Sequence, residues 1–343
     1  MTIISFKYTK SAVNRAGSKL LDTTSIDSVE AKCILDNWRA CHIAPLNSFQ
    51  KSLRLNLKKI DAQAWVSQRL KRTPSILSKL KRHPKMMLAR MQDIGGIRAV
   101  VQNMKRVREI EAEYKKGTKV FTVINGGKDY INYPKTSGYR SVHIVFKYNN
   151  GVSIELQIRT QIQHAWATAV ETMGTFLEHS LKSSEGPEEW LDFFSLASSA
   201  FAILESTPRI SGFDKLSDQE TFEKLLQTAE RLDVLSKLAG FRVAARHIKD
   251  DKKKGHYHLI TLDLDESKVY IQSYERKDVN LANIEYSRKE SEINEGKNMQ
   301  VVLVSSESVK ALKKSYPSYF LDADLFAKQI ISVEKKLAKL SNK

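Results

Sequence analysis

The sequence predicts an α+β fold: a mixed β-sheet with flanking helices, then a small C-terminal α+β module with a helical tail. Three observations predict it. Ser141–Tyr148 and Ser153–Arg159 are rich in β-branched and aromatic residues, and Asn149-Asn150-Gly151 between them is a hairpin turn. Segments with helix-period apolar residues lie on both sides of this hairpin. The composition then shifts at a charged turn, Lys249-Asp-Asp-Lys-Lys-Lys-Gly255, beyond which alternating strands recur. That turn divides a first domain, 1–250, from a second, 251–343.

Taken in order, 28–43 and 47–70 read as helices separated by the breaker Pro45. Leu53, Leu57, Ile60, Ala64 and Leu70 recur near the helical period. Gly96–Val101 is an apolar strand around Arg98, followed by a helix at 107–116 and a strand at 119–124. In the second hairpin strand, Glu155, Gln157 and Arg159 share one face, and Ile154, Leu156 and Ile158 the other. A long helix covers 160–181, with Trp166, Val170, Met173 and Leu177 as its core stripe. Gly186-Pro187 ends that region, and helices at 188–205 and 218–239 pack onto the same core. Past the charged turn come strands at 257–263, 268–274 and 299–305 and a helix at 281–293. The tail helices, 306–315 and 323–340, are broken by Tyr316-Pro-Ser-Tyr319.

With 41% hydrophobic and 28% charged residues, the composition is that of a soluble globular protein. No apolar run approaches a membrane span, and the first thirty residues carry no secretory signal, so no membrane partner is expected. Cys33 and Cys41, at i and i+8 of a predicted helix, stand too far apart to pair, which points to a reduced, cytoplasmic setting. Lys and Arg outnumber Asp and Glu by 56 to 39, a net +17 that attracts polyanions. The excess clusters at 54–59, 69–72 and 79–85.

The loop Tyr133–Ser141 combines a lysine, an arginine, hydroxyls and a tyrosine ring, a mix suited to a nucleotide. Asp93, just before Gly95-Gly96, is placed for a strand mouth. Four segments stand in order: RxKxxxSIxxK at Arg69–Lys79, RMQDIGGIR at Arg90–Arg98, KTSGYRSVH at Lys135–His143 and ELQIRTQIQHAWA at Glu155–Ala167. Together they resemble the RelA/SpoT synthetase family, from about Arg69 to about Glu171, somewhat under a third of the chain.

That resemblance implies transfer of pyrophosphate from ATP, with Mg²⁺, to a ribose 3′-hydroxyl. It implies Asp93 as Mg²⁺ ligand. It implies Glu155 as the group that deprotonates or orients the hydroxyl and shares the metal. Arg69 and Arg106 match the arginines that sandwich adenine, and Lys71, Lys79 and Arg98 match phosphate contacts. For the acceptor, Tyr139 matches the stacking tyrosine, Lys135 and His143 lie near phosphates, and Gln157 and Arg159 support the site. One departure matters. The family loop reads KPNGY, whereas Lys135-Thr-Ser-Gly-Tyr139 puts Ser137 in place of an asparagine that recognises guanine. This speaks against a guanine nucleotide as acceptor. No His-Asp dipeptide occurs, so the hydrolase domain of long family members is not expected.

Tyr316-Pro-Ser-Tyr319, with the FLDADLF that follows, resembles the YxxY element of toxic small alarmone synthetases of the fused toxin–antitoxin CapRel type. This implies that 251–343 is a zinc-finger-like domain without zinc that folds back on the ATP site, with Tyr316 and Tyr319 inhibitory. It also implies the tRNA 3′ CCA end as acceptor and a phage protein, such as a major capsid protein, as trigger. His247, His256 and His258 with no cysteine beside them agree with an absence of zinc. A tRNA backbone would rest on Lys58, Lys59, Arg82 and Lys85. The alternatives are a free-nucleotide alarmone synthetase and a catalytically dead binding module; Asp93 and Glu155 argue against the latter.

Overall fold

The computed structural model describes residues 6–22, 28–117, 120–177, 181, 184–238, 247–250, 255–266, 268–294, 297–305, 316–320 and 323–341. The chain begins with α1 (Lys10–Lys19), α2 (Ser28–Ala40) and α3 (Ile43–Ile60), then β1 (Trp65–Leu70) and α4 (Thr73–Arg82). Next come β2 (Gly95–Val101), α5 (Met104–Lys115), β3 (Phe121–Asp129), β4 (Val142–Tyr148) and β5 (Ser153–Thr160). The helices α6 (Gln161–Phe176), α7 (Glu188–Leu204) and α8 (Asp218–Arg231) follow. The last part holds β6 (His247–Asp250), β7 (Tyr257–Asp263), β8 (Lys268–Tyr274), α9 (Val279–Asn294), β9 (Met299–Ser305) and α10 (Asp324–Ser341). The helix expected at 306–315 lies outside the described residues.

The strands form one mixed sheet in the order β3-β4-β5-β2-β1-β9-β7-β8-β6. β2 and β5 run parallel, as do β6 and β8. The two halves meet where β1 pairs with β9, through Arg69 opposite Val304. The expected 47–70 helix is a helix and a strand. Asp61 ends the helix: its carboxylate accepts from Gln63 N at 2.9 Å, Gln102 N at 2.9 Å and Gln102 Nε2 at 3.0 Å. Pro45 does not break a helix; it sits in the first turn of α3, where a missing N–H costs nothing. α4 was not anticipated, although Pro74 at its second position is a start signal. α6 ends earlier than expected but starts at Thr160, in a capping box with Gln163.

Side-chain alternation separates core from site. Ile97, Ala99, Leu156 and Ile158 face a core shared with Leu46, Phe49 and Leu53 of α3 and Val107 and Ile110 of α5. The opposite face of the same strands carries Arg98, Glu155, Gln157 and Arg159, under α6. On that side α7 and α8 complete a second core, joined by Phe326, Ile330 and Val333 of α10. The C-terminal helix therefore returns to the first part of the chain. In the second half-sheet, one face lies beneath Tyr316 and Phe320, and the other beneath Ala282 and Tyr286 of α9.

Candidate active site

Asp93 ends the segment leading into β2, and Glu155 lies on β5 opposite Gly96 of β2. Parallel pairing thus sets the two carboxylates on neighbouring strand beginnings. Lys71 Nζ donates to Asp93 Oδ2 at 2.8 Å and Lys79 Nζ to Oδ1 at 2.9 Å. Burial pushes the Asp93 carboxyl up, but Lys71 and Lys79 outweigh it and hold the group below the usual carboxylate range. Glu155 accepts from Gln157 Nε2 at 2.7 Å and lies 2.9 Å from His143 Nδ1. Burial opposes its ionisation; His143, Gln157 and Lys79 reverse that and bring the carboxyl to about 2. The His143 charge acts only while the imidazole is protonated. Both acids are therefore ionised near neutrality, and so acidic a carboxyl makes Glu155 a better orienting and cation-binding group than a base.

The loop at 133–141 folds against this centre. Tyr139 Oη lies 2.8 Å from His143 Nε2, so Tyr139, His143 and Glu155 form a relay. Lys135 Nζ sits 4.8 Å from the Tyr130 ring centroid and 5.5 Å from that of Tyr139, over both rings. Burial, then Lys128, lowers the Lys135 pKa, with Lys79 and Arg82 adding to the effect. These cations therefore share one rim. Gly138, at φ +90°, lets the loop turn against α6 and α7; a Cβ there would stand 2.7 Å from Trp166 Cζ2 and 2.9 Å from Ser198 Cβ. Arg140, expected as a loop cation for a nucleotide, is buried instead and ties the loop down through Ser198 Oγ at 2.9 Å and the Ile131 carbonyl at 3.2 Å.

Three expected residues fall elsewhere: Arg106, Lys58 and Lys59. Arg106 opens α5, which covers the opposite face, and pairs with Glu109 of its own helix at 2.7 Å. It lies beyond the far end of β2, about 20 Å along the strand from Asp93. Arg98 is the arginine brought to Arg69: Ser67 pairs with Arg98 and Arg69 with Gly96, so both side chains leave the same face. Burial holds Arg98 below the usual guanidinium value, Glu171 opposes this and Arg69 reinforces it. The spacing GxR of β2 was a sufficient signal, since its arginine alternates with the core-facing Ile97. Lys58 and Lys59 also end up remote, at the C-terminal end of α3, whereas Arg82 and Lys85 are exposed at and just beyond the end of α4.

Arg159 is buried beneath the centre, donating to His164 Nδ1 at 2.6 Å, and burial and then Arg98 bring its pKa to about 9. Among the described residues, Arg98 Nε and Arg159 Nε and Nη1 have no hydrogen-bond acceptor. Buried guanidinium donors of this kind suit an anionic or planar ligand. Tyr316, itself buried, donates its hydroxyl to the Gln68 carbonyl, one residue before Arg69. Ser318 Oγ donates to Glu171 Oε2 at 3.1 Å. The Tyr319 side chain lies outside the described residues. Among the described residues no group of three or more His, Cys, Asp or Glu could hold a metal ion, and no helix is long and apolar enough to cross a membrane.

Residues 68–176 match the family model described as a region found in RelA/SpoT proteins. This part of the chain is thus similar to a RelA/SpoT synthetase domain. The GTP pyrophosphokinase YjbM of Bacillus subtilis (strain 168) is 37% identical over 126 residues, 34% of this chain and 55% of that protein. A probable chloroplastic GTP diphosphokinase of Arabidopsis thaliana is 37% identical over 98 residues, 27% of this chain and 13% of that protein. The chain spans about half the length of the first curated relatives it matches. The crystal structure of small alarmone synthetase 1 from Bacillus subtilis has 30% identity and a TM-score of 0.40, covering 50% of this chain and 93% of that one.

Proposed function

We propose that this chain is an ATP pyrophosphotransferase that modifies the 3′-hydroxyl of a tRNA and is held inactive by its own C-terminal module until a phage protein binds. The observation that carries the chemistry is the pair of ionised carboxylates, Asp93 and Glu155, on adjacent strands inside a ring of cations. The acceptor oxygen bonds to the β-phosphorus of ATP, and the bond from that phosphorus to the oxygen bridging it to the α-phosphorus breaks. AMP leaves with that oxygen, and the hydroxyl proton passes to solvent. Asp93 and Glu155 suit Mg²⁺, which takes one or two carboxylates together with phosphate oxygens and supplies charge neutralisation on the transferred group. Lys71 and Lys79 meet the phosphates, Arg69 and Arg98 hold the adenine, and Glu155 orients the hydroxyl. Tyr139 and Lys135 face the acceptor base and phosphates.

A tRNA acceptor is supported by Ser137 in the loop, by the net charge of +17, and by the exposed cations Arg82 and Lys85 at and just beyond the end of α4. The inhibitory role of the module is supported by Tyr316 on the Gln68 carbonyl, beside Arg69. The phage trigger rests on the YxxY resemblance. A free-nucleotide alarmone synthetase is the second reading, favoured by the GTP pyrophosphokinase among the relatives. Asp93→Asn and Glu155→Gln are each expected to cut transfer from ATP by at least about a hundredfold with the fold retained in circular dichroism. Near-wild-type transfer by either variant would remove the assignment.

A further inference from the structure

α9 of the C-terminal module meets the synthetase domain at a buried polar joint rather than an apolar one. Glu290, 2% exposed, accepts at Oε1 from the Thr73 backbone N–H at 2.9 Å and at Oε2 from the Thr73 hydroxyl at 2.8 Å. Arg39 of α2 donates from Nη1 to Glu290 Oε2 at 3.2 Å and to Thr73 Oγ1 at 3.1 Å, and from Nε to the Lys71 carbonyl at 3.1 Å. Tyr286 donates its hydroxyl to Glu290 Oε1, and its ring lies 4.8 Å below the Arg39 guanidinium. Around this joint, Ser287 Oγ donates to Asp36 Oδ2 at 3.1 Å and Lys32 Nζ to Ser291 Oγ.

Thr73 is the first residue of α4, and its flanking residue Arg72 gives no side-chain cap. A helix start leaves backbone N–H groups without partners and favours a nearby anion. Here that anion comes from a residue 217 positions along the chain. The same three-residue stretch, Lys71–Thr73, is also gripped by Arg39, and α4 carries Lys79 in its last turn. Lys71 and Lys79 are the two lysines on Asp93.

We propose that Glu290 is the N-terminal cap of α4, delivered in trans by the C-terminal module, and that it positions Lys71 and Lys79 over Asp93. The role of those lysines rests on the pyrophosphotransferase reading; the cap itself does not. Docking of α9 is thereby sensed at the phosphate lysines through the backbone, at a place separate from the Tyr316 contact. Two of the module's attachments have different work: the Tyr316 turn obstructs, while the Glu290 joint shapes the site. Opening the first while keeping the second gives the best enzyme, and complete removal of the module sacrifices the cap.

The test uses the full chain. Hydrogen exchange in Glu290→Ala is expected to accelerate at least about fivefold over residues 73–78, with α5, which the joint does not touch, unchanged. Glu290→Gln, which keeps one acceptor for the Thr73 N–H but not the charge on Arg39, is expected to shift the same amides less; should the alanine variant fail to fold, this variant decides. In a Tyr316→Ala background, Glu290→Ala is expected to raise the KM for ATP at least about fivefold with kcat changed less than about threefold. Unchanged exchange over 73–78, or equal acceleration across α5, overturns the trans cap. Accelerated exchange with an unchanged KM overturns the positioning role. A chain that neither binds nor uses ATP, yet shows the local exchange change, refutes the pyrophosphotransferase reading and leaves the cap standing.

Discussion

At the scale of single residues, the site depends on which strand face a side chain leaves. Arg98 and Arg69 leave the face that carries Glu155, whereas Arg106 opens a helix on the other side. Arg98→Ala is therefore expected to raise the KM for ATP more than about tenfold, and Arg106→Ala to change it less than about twofold. Equal effects, measured by steady-state kinetics, would restore Arg106 to the adenine site. Glu155 makes a prediction for stability. Its folded pKa, about 2 against an ordinary 4.5, is depressed, so its ionised form stabilises the fold above the ordinary value. That contribution, about 3 kcal/mol, is lost as pH falls from 4.5 towards 2. The unfolding free energy of wild type minus that of Glu155→Gln should fall by about this amount across the window. A difference independent of pH would contradict the ionised, hydrogen-bonded carboxylate.

At the scale of elements, the hairpin was legible because two local signals agreed: strict alternation at Glu155–Arg159 and a strong turn at Asn149-Asn150-Gly151. β1 was not. Ile60, Ala64 and Leu70 continue the helical spacing of α3, and no Gly or Pro marks the break. Asp61 makes that break, through bonds to Gln102, and a tertiary bond leaves no local trace. Asp93 and Glu155 were singled out from motifs, but the Glu290 joint was not legible, since its partners lie far apart in sequence. The acceptor loop depends on Gly138, whose positive φ and close neighbours exclude a side chain. Gly138→Ala is expected to destabilise the protein by roughly 2 kcal/mol or more and to raise the acceptor KM, since the loop must lift from Trp166 and Ser198. A crystal structure of the variant with the loop unmoved, or an unchanged unfolding midpoint, would refute this.

For the whole molecule, the continuous sheet and α10 make the two expected domains mutually dependent. Phe326 packs against Phe193, Phe194 and Phe201, with ring centroids 6.2, 6.0 and 5.5 Å apart. Phe326→Ala is expected to cost about 3–5 kcal/mol, as for a large aromatic removed from a core. Calorimetry showing a single transition lowered for the entire chain is the expected result; an early transition confined to the C-terminal module would show that α10 is peripheral. Truncation before Lys249 also uncovers this aromatic face, so Tyr316→Ala is the cleaner way to relieve an obstructed site.

The most direct measurement follows the β-phosphate of labelled ATP into tRNA and into GDP, with the full chain and with Tyr316→Ala side by side. Label on the tRNA 3′ end with stoichiometric AMP is expected from Tyr316→Ala, and little from the full chain. Label appearing in the guanine nucleotide while tRNA stays unlabelled, or equal transfer by the two forms, would contradict it.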